Sequence, residues 1–264
     1  MPASLNASPF AGTAPYYDRF RAPHARAAID FIVERYNLGK GARALDLGCG
    51  PGSIAIPLSY AVGEVVAVDP DADMIAEGRR LAASRDRQNI QWLRSRAEDV
   101  SLGAQAFRVT TIGHAFHWMD RDEVLRKLAI LIADGGGLAL VNAGKRRPQE
   151  SWEPVADQIV PKFLGPRTRH PKSNPQEPEH EAALVRSEYF SNFTAHEFPS
   201  TITRYIDSII GCIYSISSSA RPLFGDNAMA FEAELTKALL SLNPTGVFNE
   251  QVETEVVIAP KRAR

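Results

Sequence analysis

The sequence predicts an α/β fold with a doubly wound, mostly parallel sheet, and three observations support this prediction. Short apolar segments with strand character alternate with segments whose apolar residues recur at helical spacing. The segment 64–69 is rich in valine, as expected for a strand buried on both faces. The segment 43–47 runs into a glycine-rich turn. Because crossovers between parallel strands are right-handed, we expect helices on both faces of the sheet.

The first half of the chain supplies the predicted elements of this sheet in order. A helix over 24–36 precedes the first strand, and we expect Ser53 to cap the helix that follows the glycine turn, through Ser59. Asp120 is expected to cap a later helix. The remaining predicted elements are strands at 64–69, 90–93, 107–112 and 138–141 and helices at 72–84 and 123–133, the last ended by the run 134–137.

The second half of the chain has a different character. Residues 144–180 are rich in proline and charge, and we expect a short helix over 152–163 within them. Further on, the patterns predict helices at 182–188, 206–215 and 229–242 and strands at 193–198 and 251–258. Residues 1–15 are expected to be a mobile arm. The predicted divisions are an N-terminal arm or lid (1–23), a core (24–143), an inserted variable region with a core strand near 193–198 (144–222) and a C-terminal helix with the final strand (223–264).

Composition excludes several classes of protein. The 264 residues include 30 basic and 31 acidic side chains for a net charge of −1, and the scattered basic residues argue against a nucleic-acid partner. Cys49 and Cys212 form neither a disulfide framework nor a metal-binding pattern. The N-terminus lacks the pattern of a signal peptide, and the densest apolar run, 128–133, is too short to span a membrane. We therefore expect a cytoplasmic protein with no metal and no membrane partner.

The glycine turn carries the strongest local signal of a ligand site. Gly48, Gly50 and Gly52 follow a strand and precede a helix, which brings backbone close to a ligand at the carboxyl end of that strand. A dinucleotide fingerprint requires glycine or alanine where Ser53 stands. Asp46, before the first glycine, is a second departure, and both disfavour a nicotinamide dinucleotide.

Asp69 is the second candidate ligand residue. It closes the predicted strand 64–69, 21 residues after Gly48. A carboxylate there suits a ribose, whose two vicinal hydroxyls can both donate to it. The other interpretation is a cap for the helix that begins after Pro70, and both roles can hold together.

Five motifs in order resemble those of class I S-adenosylmethionine-dependent methyltransferases. They are the segment 46–52, Asp69 after its valine-rich strand, and the segments 97–99, 115–118 and 134–137. The likeness is greatest to the type 11 branch, which includes enzymes similar to trans-aconitate methyltransferase and many natural-product enzymes, and it covers about residues 16–142. It implies a Rossmann-like, seven-stranded sheet whose last strand, 251–258, enters antiparallel beside 193–198. It also implies S-adenosylmethionine as cofactor and S-adenosylhomocysteine as product.

The same resemblance assigns roles to particular residues. Asp69 would bind the ribose, the Ala97 backbone and Glu98 the adenine edge, and the backbone at His114 would face the sulfonium. Tyr17 would belong to a segment that folds over the cofactor, in which Arg21 would pair with the cofactor carboxylate. Residues around the methionine part would be Asp46, Gly48, Cys49, Gly50 and Gly52, and those pressing on the adenine faces Pro70 and Met74.

The acceptor side of the site rests on weaker signals. His117 could act as a general base at the pocket mouth, or it could close the pocket together with Trp118. We favour the second role, because a lone histidine identifies no base without partner geometry. Tyr214 could line the substrate pocket, but the polar run 214–219 is more typical of a solvated loop.

The function implied by the resemblance is methyl transfer to an oxygen, nitrogen or carbon atom of a small molecule, in a natural-product pathway among other settings. We expect the protein to be a monomer or a homodimer. Two alternatives remain open: a nicotinamide-dependent oxidoreductase on a similar fold, and a non-catalytic partner protein that keeps the fold of the methyltransferases.

Overall fold

The chain divides into two compact units. The structure, a computed structural model, describes residues 10–147, 152–165 and 178–263. One unit, here called the sheet unit, comprises His24–Ala143, Pro171–Phe198 and Glu253–Arg264. The other, the helical unit, comprises Met1–Pro23, Gly144–His170 and Pro199–Val252. The predicted divisions 1–23, 24–143, 144–222 and 223–264 stay predictions.

A seven-stranded sheet forms the framework. Its strands are β1 (Arg43–Leu47), β2 (Glu64–Asp69), β3 (Ile90–Arg94), β4 (Phe107–Gly113), β5 (Ile132–Arg147), β6 (Thr194–Tyr205) and β7 (Val247–Pro260). Their order in the sheet is β3-β2-β1-β4-β5-β7-β6. The first five pair in parallel. Register pairs Asp46 of β1 with Ala67 of β2 and with Thr111 of β4, so the carboxyl ends of three strands lie side by side. This confirms the predicted doubly wound α/β sheet.

The last strand, β7, runs antiparallel to both of its neighbours, β5 and β6, as predicted. The Lys261 N–H, just past the end of β7, donates to the carbonyl of Gly136 near the start of β5. Thr201 pairs through its side chain with Gln251, and Thr203 with Asn249, so β6 and β7 also run in opposite directions. Both strands are longer than the segments 193–198 and 251–258 that the alternation of polar and apolar residues predicts.

Helices cover both faces of the sheet. Successive residues of each central strand point to opposite faces, so both faces carry apolar side chains that the helices bury. The helices of the sheet unit are α2 (Arg26–Arg35), α3 (Ala55–Ser59), α4 (Ala72–Ser84), α5 (Arg121–Leu131) and α7 (Pro178–Ser187), with a short 3-10 helix at Phe116–Trp118. Val65 and Ala67 pack into one buried cluster with α2 and α4, whereas Val66 and Val68 pack into the other with α5 and α7.

The helical unit has its own apolar core. Its helices are α1 (Ala14–Phe20), α6 (Glu153–Leu164), α8 (Ile206–Tyr214), α9 (Arg221–Phe224) and α10 (Ala228–Leu242). Phe231 and Leu235 of α10 and Ile209 of α8 are completely buried in this core. No helix in the described ranges is long and apolar enough to cross a membrane.

Three local predictions are wrong. Residues 14 and 15 belong to helix α1 rather than to a mobile arm, and residues 1–9 lie outside the described ranges. The side chain of Ser53 caps nothing, because α3 begins at Ala55 and its first N–H bonds to Asp46 instead. The run 134–137 does not separate α5 from a later strand, since β5 already begins at Ile132.

Candidate active site

The glycine turn links the carboxyl end of β1 to α3. The N–H groups of Gly48 and Cys49 both donate to the carbonyl of Val68 on β2, at 2.8 and 3.0 Å. Gly48, Gly50 and Gly52 all have positive φ, at 65°, 51° and 91°, a region that side chains with a Cβ rarely adopt. The three glycines therefore keep the turn tight against the neighbouring strand.

Only one of these glycines faces open space. A Cβ on Gly50 would meet no atom within 4 Å. A Cβ on Gly48 would lie 2.4 Å from the Cβ of Ala115, and one on Gly52 would lie 2.7 Å from the Trp92 ring. Gly48 and Gly52 are thus required by packing within the protein, and Gly50 marks the place where a ligand can approach the backbone.

Asp46 lies behind the turn. It is 1% exposed, and its two carboxylate oxygens accept hydrogen bonds from the Ala55 N–H at 3.0 Å and the Thr111 hydroxyl at 2.7 Å. Burial raises the pKa of Asp46 to about 7, although both hydrogen bonds lower it. Asp46 connects β1, β4 and the start of α3, which is a supporting position for the turn.

Asp69 lies beside the open glycine. Its Oδ2 accepts from the Gly50 N–H at 2.8 Å, and its Oδ1 accepts from the Asp71 N–H at 2.9 Å. Burial raises the pKa of Asp69 to about 6, against the effect of these two bonds. The helix cap itself is Asp71, which accepts from the N–H groups of Asp73 and Met74. Each oxygen of Asp69 keeps a second acceptor position, which suits a ribose diol.

The predicted adenine residues lie around the same edge of the sheet. Met74 in the first turn of α4 and Ala97 after β3 are buried, whereas Pro70 is exposed. Glu98 accepts hydrogen bonds from the Asp120 N–H at 2.8 Å and from Arg96 at 3.3 Å. Burial raises the pKa of Glu98, but these bonds outweigh that effect and leave it below its usual value. Asp120 caps α5 as predicted, by accepting from the N–H of Glu123.

The segment after β4 faces the glycine turn. His114 has the left-handed φ of 49°, and its N–H donates to the carbonyl of Val141 at 3.2 Å. Its ring stacks on that of His24, with the centroids 5.7 Å apart. Ala115 packs against Gly48. Sequence reasoning treated His24 only as the start of a helix, and no motif signals its position beside β4.

His117 lies in the 3-10 helix next to Trp118. The two ring centroids are 5.4 Å apart, and the His117 ring lies 6.5 Å from that of His180 on α7. Burial, together with the nearby charge of Arg121, lowers the pKa of His117. Within the described ranges no carboxylate holds the His117 ring. The Arg121 Nε donates instead to the Nδ1 of His180, at 3.2 Å.

The predicted lid and substrate residues belong to the helical unit. The Arg21 guanidinium lies 4.2 Å from the centre of the Tyr17 ring and donates to the Ser215 carbonyl at 3.1 Å. Tyr214 ends α8 with 2% exposure, and its hydroxyl bonds to Glu232 at 2.9 Å. The prediction of a solvated loop over 214–219 is wrong, because Tyr214, Ser215 and Ser219 are buried. The roles of Tyr17, Arg21 and Tyr214 toward ligands stay predictions.

Comparisons with known proteins identify the family. Residues 44–136 match a family model described as a methyltransferase domain. The chain is 31% identical over 174 residues to 2-phytyl-1,4-naphtoquinone methyltransferase of Thermosynechococcus vestitus, covering 61% of this chain and 74% of that protein. The chain belongs to the class I methyltransferases. This methyltransferase has the family identity that its five motifs predict.

One further relative and one solved structure resemble this chain over different shares of its length. The methyltransferase is 28% identical over 156 residues to malonyl-[acyl-carrier protein] O-methyltransferase of Enterobacter lignolyticus, covering 58% of this chain and 60% of that protein. The likeness thus spans only about three fifths of that relative. A structure assigned as a type II methyltransferase from Anaeromyxobacter dehalogenans matches with a TM-score of 0.66 at 21% identity, covering 92% of this chain and 98% of the other. It supports the fold alone.

Proposed function

We propose that this methyltransferase transfers a methyl group from S-adenosylmethionine to a small-molecule acceptor. The observation that carries the proposal is the pairing of Asp69 with Gly50. A buried carboxylate at the end of β2 is tied to the one glycine of the turn that faces open space. An acceptor for a ribose diol and a place for close backbone approach therefore lie side by side, as an adenosine ligand with an extended tail requires.

The residues of the chain fit this cofactor. Asp69 would accept from the two ribose hydroxyls, and Met74 would pack on the adenine. Gly50 would let the tail pass close to the backbone, with Asp46 and Thr111 fixing the turn from behind. S-adenosylmethionine supplies an electrophilic methyl on a positively charged sulfur, so the protein's main tasks are to orient two reactants and exclude water.

His117 is proposed to shape the acceptor pocket rather than to act as its base. Its ring packs beside Trp118 and His180, and burial lowers its pKa. A base that takes a proton in the transition state is usually oriented by a second polar group. In the described parts of the chain the His117 ring lacks such a carboxylate.

A screen for methylated products tests the proposal. The wild-type protein would be incubated with S-adenosylmethionine and a panel of carboxylic acids, phenols and quinols, and mass spectrometry would follow methylated product and S-adenosylhomocysteine. We expect acceptor-dependent formation of both, and strong loss of both in Asp69→Ala. A wild-type protein that neither binds nor consumes S-adenosylmethionine would contradict the proposal.

A non-catalytic role gives a different pattern. A partner protein that keeps only the fold would bind S-adenosylhomocysteine without turnover of any acceptor. A nicotinamide oxidoreductase would instead bind NADH, which the absence of a third fingerprint glycine at Ser53 already disfavours.

A further inference from the structure

His24 carries a buried polar atom without a partner. Among the described residues its Nδ1 has no hydrogen-bond partner, although it is closed to solvent. Burial lowers the pKa of His24 to about 4, so the ring is neutral at physiological pH. Leaving a buried polar group unpaired is unfavourable, so such a group in a native fold calls for an explanation.

The orphaned nitrogen fixes the tautomer of this neutral ring. A proton on Nδ1 would need an acceptor, and none is present in the described part of the chain. An unpaired lone pair is tolerated better than an unpaired N–H. The proton of His24 therefore belongs on Nε2, which makes Nε2 a hydrogen-bond donor.

The Nε2 atom lies at the carboxyl edge of the sheet. It is 3.5 Å from the position that a Cβ on Gly113, the last residue of β4, would occupy. The ring stacks on His114, and the next residue, Ala25, is anchored by its N–H to the Thr254 hydroxyl at 2.9 Å. Gly113 and His114 are only half-buried, so a ligand can reach this edge.

Strand order decides which part of a ligand reaches His24. Asp69 ends β2, on one side of β1, and Gly113 ends β4, on the other. If Asp69 binds the ribose, a ligand that crosses the glycine turn places its opposite end beside β4. In S-adenosylmethionine that end is an amino acid, and its carboxylate is the only anionic acceptor.

We propose that His24 donates a hydrogen bond from Nε2 to the carboxylate of the cofactor's amino-acid end. This inference rests on the proposed function, because it assumes that the cofactor is S-adenosylmethionine. It makes His24 a cofactor-binding residue supplied by the sheet unit itself. Hydrogen bonds to a charged group are stronger than those between neutral groups, so the contribution should be measurable.

Two ligands that differ by one group test the proposal. Calorimetry would measure the dissociation constants of S-adenosylhomocysteine and of its decarboxylated analogue, for wild type and His24→Phe. We expect His24→Phe to weaken S-adenosylhomocysteine about 10- to 100-fold and to leave the decarboxylated analogue within about twofold of wild type. His196→Phe, at a histidine on β6, is the matched control and should change neither constant.

Two polar variants separate the nitrogens and cover the case in which His24→Phe fails to fold. The amide nitrogen of glutamine reaches about as far as Nε2, whereas that of asparagine reaches only as far as Nδ1. We expect His24→Gln to retain most of the affinity for S-adenosylhomocysteine and His24→Asn to lose it. Circular dichroism and the melting temperature would show that each variant is folded.

The outcomes distinguish this inference from the proposed function. Equal losses for both ligands in the His24 variants, or unchanged binding of S-adenosylhomocysteine, would overturn the role of His24 alone. A folded wild-type protein that binds neither ligand would overturn the proposed function and this inference together.

Discussion

The Oδ2 atom of Asp69 accepts a hydrogen bond from the backbone N–H of Gly50 at 2.8 Å. This bond joins the end of β2 to the glycine turn after β1. It means that the residue proposed to bind the ribose also holds the backbone that the cofactor tail would approach. A substitution at either residue is therefore expected to affect both parts of the site.

Asp69→Ala should weaken S-adenosylhomocysteine binding by about 10- to 100-fold or more, because two ribose hydroxyls lose a charged acceptor. Part of the loss should come from the freed Gly50 N–H. A 2′,3′-dideoxy analogue lacks the hydroxyls, so its loss of affinity in Asp69→Ala should come from the freed Gly50 N–H alone. The ratio of wild-type to variant affinity should therefore be smaller for this analogue than for S-adenosylhomocysteine. Equal ratios for the two ligands, measured by calorimetry, would mean that Asp69 acts only through the turn.

Gly50→Ala and Gly48→Ala should separate binding from stability. At Gly50 the added methyl has open space but an unfavourable φ, so we expect a stability loss of about 1–2 kcal/mol and a larger loss of cofactor affinity. At Gly48 the methyl overlaps Ala115, which adds about 1–3 kcal/mol of overpacking. Thermal unfolding and calorimetry check this order. A Gly48 variant as stable as the Gly50 variant would argue against the packing described at Ala115.

Asp46→Asn should change the pH dependence of stability. Burial raises the pKa of Asp46 in the folded protein from 3.8 to about 7. The stabilisation that the protonated side chain gives the folded state is therefore fully present below pH 3.8 and is lost as the pH rises toward about 7. Asparagine does not titrate, and its amide can still pair with Thr111 and Ala55. We expect the stability of the variant relative to wild type to rise by more than about 1 kcal/mol between pH 4 and 8.

Chemical denaturation at several pH values measures this difference directly. Comparing the variant with wild type cancels groups that titrate alike in both proteins. A difference that stays constant across the range, or that falls as the pH rises, would contradict the burial of a destabilised carboxylate at Asp46.

His117→Gln should retain much of the turnover with the first acceptor that the product screen identifies. A pocket-shaping role predicts that His117→Ala loses activity largely through the acceptor KM, and that an amide restores the lost hydrogen bond. A general base predicts instead a roughly 10²- to 10⁴-fold lower kcat in both variants and loss of the acid limb of the pH–rate profile. Steady-state kinetics of the two variants decides between these patterns.

The sheet could be predicted well because its signals are local. The valines of β2 and the glycines after β1 mark a buried parallel strand and its turn without reference to other segments. The extent of β6 and β7 could not be predicted in the same way, since their partly exposed residues are held in the sheet by pairing with each other.

The place of Asp69 at the end of β2 could be predicted, because the valine-rich segment marks where that strand ends. Its role toward a ribose stays a prediction. The hydrogen-bond partners of Asp46 could not be predicted. The Ala55 N–H donates to Asp46 across the glycine turn, and no sequence pattern specifies the shape of that turn. His24 escaped notice for the same reason: its place beside Gly113 arises from tertiary packing between segments about 90 residues apart.

Calorimetric titration of the wild-type protein with S-adenosylhomocysteine and, separately, with NADH tests the central claim most directly. The arrangement of Asp69 and Gly50 predicts saturable binding of S-adenosylhomocysteine with one site per chain, and no detectable binding of NADH at the same concentrations. Binding of NADH without binding of S-adenosylhomocysteine would contradict it.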